Sequence, residues 1–106
     1  MDLLESDTEW QRIRALPQVV IYKHSPICFL SFLARPKVRR FEAKRPEVPV
    51  FMVNVIKQRG LSEQIADDLG VRHESPQVIV LTEGSVAWHA SHQDVSANRL
   101  LEAVSS

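Results

Sequence analysis

The chain has 106 residues, 44% of them hydrophobic, and its 13 basic and 13 acidic side chains balance to a formal charge of zero. That length suits one domain over residues 1–106, the apolar share is too high for a disordered chain, and the charge balance gives no support to a nucleic-acid or anionic-membrane partner. The single cysteine, Cys28, excludes an internal disulfide framework, and no apolar run approaches the ~20 residues that span a bilayer. The N-terminal stretch MDLLESDTEW is acidic and lacks the apolar segment of a secretory leader. These features predict a reduced, cytoplasmic setting.

Ser6-Asp7-Thr8-Glu9 has the S-x-x-E form of a capping box. It predicts a helix from about Asp7 that stops before Pro17, with Trp10 and Ile13 facing inward. QVVIYK is a short β-branched run between Pro17 and Pro26 and reads as a buried strand over Val19 to Lys23. From Cys28 to about Ala43, Leu30, Leu33, Val38 and Phe41 are spaced for one broad helical face. Pro36 interrupts that pattern and is expected to kink the helix, and the arginines between Arg35 and Arg45 read as its solvated face.

VPVFMVNV, residues 48–55, is nearly continuous in apolar residues, as in a strand covered on both faces. Leu61, Ile65 and Leu69 recur every four residues and predict a helix that ends at Gly70 with a left-handed cap. QVIVL is a third strand, and Glu83-Gly84 turns it into SVAWHA as a hairpin, with Val86, Trp88 and Ala90 alternating with Ala87 and His89. A last helix runs from about Ser96 or Ala97 to Val104. The order α-β-α-β-α-β-β-α predicts an α/β, thioredoxin-like fold, a mixed four-stranded sheet with helices on both faces.

Cys28 falls where the first strand gives way to a helix. Backbone N–H groups at a helix start lack intrahelical acceptors, and the helix dipole is positive there, so an anionic sulfur is favoured. Ser31 lies one turn further on, where its hydroxyl and N–H can donate to that sulfur. The competing reading is a small buried hydrophobe with no chemistry. Lys23 and His24 precede the loop; they either place a cation near the sulfur or simply end a strand. His73, Glu74 and Ser75 lead to Pro76 at the start of the third strand. Ser91, His92, Gln93 and Asp94 lead into the last helix, where they either hold an anion or cap the helix. The H-x-x-H spacing of His89 and His92 lacks a third ligand and predicts no metal site.

Three stretches, YKHSPICFLS, LGVRHESPQVIVL and GSVAWHASHQDVS, are together similar to the monothiol bacilliredoxins of the bacillithiol system. The similarity covers roughly residues 17–104. That family usually carries Thr-Cys-Pro-Ile-Ser around its nucleophile; here the frame reads Ile27-Cys28-Phe29-Leu30-Ser31. The resemblance implies that Cys28 is the nucleophile and that bacillithiol is the thiol co-substrate. It implies that Ser31 assists, and that Pro76 is cis and packs beside the sulfur. Ser75 would offer backbone hydrogen bonds to an extended substrate. Lys23, His24, Ser75, Ser91, His92 and Asp94 become the residues expected to hold bacillithiol, whose malate part carries carboxylates. The implied partners are bacillithiolated client proteins and an external thiol reductant, because a hydroxyl at position 31 cannot resolve a disulfide. The alternative function is a non-catalytic thioredoxin-fold module that binds partners or senses oxidation.

Overall fold

The computed structural model describes residues 1–104. The Ser6 hydroxyl accepts from the Glu9 N–H and starts helix α1, Asp7–Ile13. Strand β2, Gln18–His24, follows and leads into the longest helix, α2, Phe29–Lys44. Strand β3 is Val50–Asn54 and helix α3 is Arg59–Leu69, closed by Gly70 at φ 66°. Strands β4, Gln77–Thr82, and β5, Ser85–Ser91, form the hairpin; a single 3₁₀ turn at His92–Asp94 then leads to α4, Ala97–Ala103. Glu83 and Gly84 both have positive φ, 52° and 81°, which suits a two-residue hairpin turn.

Among the described residues the sheet has five strands, where the sequence predicts four. The additional strand, β1, is Asp2–Leu3, which pairs in parallel with Phe51 and Met52 at the edge of β3. Two residues are too few for any periodicity to show in the sequence. The strand order is β1-β3-β2-β4-β5. β3 runs parallel to β1 and β2, while β4 is antiparallel to β2 and β5.

Alternation along β2 divides the core into two layers. Val20 and Tyr22 face α2 and α4, packing with Val38, Phe41 and Leu100. Val19 and Ile21 face α1 and α3, packing with Trp10, Ile13 and Ile65. Helices thus cover both faces, which explains why the strand sequences are apolar without a break. A β-bulge opposite Val80 and Leu81 disturbs the expected alternation of β5. Trp88 and Ala90 pack on the α2 side, but Val86 packs on the α3 side. α2 continues through Pro36 for two further turns.

Candidate active site around Cys28

Strand β2 delivers the chain to the site, and Lys23 on it pairs with Gln77, one residue after Pro76. The ends of β2 and β4 that carry the loops 25–28 and 73–76 therefore lie side by side. The chain then turns sharply. Cys28 N–H donates to the Ser25 carbonyl at 3.2 Å, and the Cys28 carbonyl accepts from Phe32 N–H at 3.1 Å. Cys28 is thus the N-cap of α2, extended at φ −104° and partly exposed. The N–H groups of Phe29, Leu30 and Ser31 precede that first helical bond and have no intrahelical acceptor.

Ser31 is fully buried, and its hydroxyl oxygen accepts from the Ser25 N–H at 3.1 Å. The side chain braces the turn before the cysteine; the expected bond to the sulfur is not among the contacts of the described residues. Below it lies Tyr22, whose hydroxyl donates to the Ser31 carbonyl at 3.1 Å and lies 2.7 Å from His24 Nδ1. A phenol has one proton, so this geometry is satisfied when His24 carries its proton on Nδ1 and donates to the tyrosine oxygen. Nε2 is then the basic nitrogen. Burial, with the Arg35 charge second, holds His24 below the ordinary histidine range and so favours the neutral ring. Burial pushes the Tyr22 phenol well above its ordinary value, with Arg35 opposing.

A cleft of about 430 Å³ opens beside the sulfur. The turn supplies His24, Ser25, Pro26 and Cys28, and one face of α2 supplies Phe32, Arg35, Pro36 and Arg39. Arg35 is half-buried, which corrects the reading of the α2 arginines as a uniformly solvated face. The spacing 28, 32, 35, 39 is one helical face and was available in the sequence as the signal for these residues. The rim is apolar: Ile27 is 83% exposed, and Phe29 and Phe32 are each 70% exposed with their rings stacked at 6.3 Å.

Lys23 is placed elsewhere. It lies on the α3 face of the sheet, fully buried, and donates to the Ser62 carbonyl at 2.9 Å. Its ammonium is 3.3 Å from His73 Nδ1, which in turn is 3.1 Å from Ser62 Oγ. Burial pulls this lysine down to about 8. The expected cation beside the sulfur is therefore not Lys23: residues alternate along β2, so it points away from His24.

The Ser75–Pro76 bond is cis, as expected. The Pro76 carbonyl accepts from the His92 N–H at 2.9 Å and so ties the 3₁₀ turn to this loop. Ser75 lines a smaller hollow with Ser25, Val55 and His73. Ser91 accepts from Gln77 Nε2 at 3.3 Å and also bonds the Glu74 carboxyl, holding it below the usual carboxylate range. Asp94 lies 3.7 Å from Arg99, and Ser96, not Ser91, caps α4 through the Arg99 N–H. The turn carrying His92 and Asp94 packs against α2, but Ser91, His92 and Asp94 do not line the Cys28 cleft. His89 and His92 gain no third metal ligand among the described residues.

A sheet of this order with a lone cysteine at the β2–α2 junction defines the thioredoxin-fold class of thiol–disulfide oxidoreductases. The chain belongs to the monothiol bacilliredoxin family, whose model matches residues 2–100. Among solved structures, it is 28% identical to a protein provisionally described as an oxidoreductase with a thioredoxin fold, covering 96% of this chain and 91% of that one at a TM-score of 0.90. The thioredoxin of Plasmodium falciparum is 15% identical over 99% and 100% of the two chains, with a TM-score of 0.81. That of Fasciola hepatica is 19% identical over 96% and 94%, with a TM-score of 0.74. No helix among the described residues is long and apolar enough to cross a membrane.

Proposed function

We propose that this protein removes bacillithiol from mixed disulfides on client proteins in the cytoplasm, with Cys28 as its nucleophile. The observation that carries this reading is the placement of Cys28: partly exposed, at the N-cap of a sixteen-residue helix, beside an open cleft, in a chain of this family. The Cys28 thiolate attacks the bacillithiol sulfur of the client disulfide. The old disulfide breaks, the client cysteine leaves as a thiolate, and a Cys28–bacillithiol disulfide forms. No second cysteine can expel the cap. A second thiol, bacillithiol itself or a protein reductant, attacks the adduct, releases Cys28 as a thiolate and carries the oxidising equivalents away as a new disulfide.

The helix start favours the anionic sulfur both as attacker and as final leaving group. Ser31 acts by holding the Ser25 turn, and Tyr22 by holding Ser31 and His24. Ser75 and Pro76 take the part of the loop that borders an extended client segment. His24 borders the cleft available to the bacillithiol moiety, while Ser91, His92 and Asp94 lie outside its lining. The rate at which a bacillithiol-capped client releases its thiol tests this directly. Wild-type protein should accelerate release well beyond free bacillithiol alone, and Cys28→Ser should match the uncatalysed rate. Equal rates for the two proteins would leave the non-catalytic module as the function.

A further inference from the structure

We infer that Arg35 and Arg39 form a carboxylate-recognition site on the α2 wall of the cleft, which selects an acidic small thiol for exchange with Cys28. Both arginines line the same cleft as Cys28, two and three helical turns along one face. Neither forms an ion pair among the described residues, although five of the other seven arginines do. Arg35 Nε is buried without a hydrogen-bond partner among those residues. A buried unpaired donor on a cation calls for an acceptor, and a planar guanidinium matches a carboxylate in two parallel bonds. No acidic side chain among the described residues lines this cleft, and Asp94, on the turn packed against α2, faces Arg99 instead. Arg35 is also close enough for its charge to act on His24, which lines the same cleft.

This rests on the proposed exchange at Cys28 and adds to it the chemistry of the cap: carboxylates carried by the small thiol, not by the client. The exchange forms the Cys28–cap disulfide and frees the client thiolate, as above. Three synthetic substrates separate the sources of charge. The first is a neutral cysteine peptide capped with mercaptosuccinate, the second the same peptide capped with mercaptoethanol, and the third an acidic cysteine peptide capped with mercaptoethanol. Peptide thiol release is timed at low ionic strength, and intact mass identifies the cap on Cys28.

Arg39→Gln should lower the rate on the first substrate relative to the second by roughly fivefold, as loss of a charge-assisted bidentate contact does. Arg40→Gln removes the same charge from a neighbouring exposed position outside the cleft, and should leave that ratio within twofold, roughly the spread of a non-contacting surface charge. Arg35→Gln should act in the same direction as Arg39→Gln. Equal slowing of all three substrates by Arg39→Gln, or a ratio lowered as much by Arg40→Gln, would overturn the site. Slowing confined to the acidic peptide would overturn it in favour of client recognition. No adduct from any substrate with wild-type protein would remove the exchange reading itself, and this inference with it.

Discussion

Ser31 stands where many redox proteins carry a second cysteine, yet its oxygen is turned to the backbone of Ser25. Removing it leaves a buried N–H unpaired, which costs ~1–3 kcal/mol. Ser31→Ala should therefore lower the unfolding free energy read from urea titration by that amount and slow exchange together, because the same turn positions the sulfur. Unchanged stability would show that the turn does not depend on this bond. Tyr22→Phe removes one hydroxyl that serves two buried partners, the Ser31 carbonyl and His24. A loss of about 1–2 kcal/mol in denaturant unfolding is expected. Full retention of stability would mean that water replaces the phenol without penalty.

The elements were legible wherever local chemistry sets them. The capping box fixed α1, the β-branched runs marked β2 to β4, and Gly70 closed α3. Gly70 has φ 66° with open space around its α-carbon, so Gly70→Ala meets strain without a clash. It should destabilise by about 1 kcal/mol, read by thermal or urea unfolding, and a neutral result would mean that the cap relaxes out of the left-handed region. Less was legible where partners come from distant segments. Two-residue β1 has no pattern of its own, and the β5 bulge appears only once β4 is paired with it. The strand-to-helix junction at Cys28 and the cis bond before Pro76 could be placed from sequence order. The depth of Lys23 could not, because nothing local distinguishes a strand-end lysine in solvent from one capped by the Ser62 carbonyl. Arg35 and Arg39 were masked by the other cations of α2, although their spacing from Cys28 already put them on its face.

At the scale of the whole molecule, the two sheet faces differ in character. The α2 face carries the thiol, the apolar rim and the cleft arginines, while the α3 face buries a lone ammonium. Lys23 is lowered from 10.5 to about 8, so the folded state binds its proton less tightly than the unfolded state does. The penalty for burying the charge is full below pH 8, shrinks as pH rises through the folded value, and is gone above the unfolded value. Stability should therefore climb between about pH 8 and 10.5 by on the order of 3 kcal/mol relative to Lys23→Met, which lacks the titration. Parallel stability curves for the two proteins across that window would show that the lysine keeps its charge on folding.

The central claim is that Cys28 accepts bacillithiol and cannot release it alone. The direct measurement is intact mass under non-reducing conditions after mixing the native protein with a bacillithiol-capped client. Wild-type protein should gain the mass of one bacillithiol, hold it until a second thiol is added, and then return to its starting mass; Cys28→Ser should gain nothing. A folded wild-type protein that stays at its starting mass, while the client keeps its cap, would contradict the account.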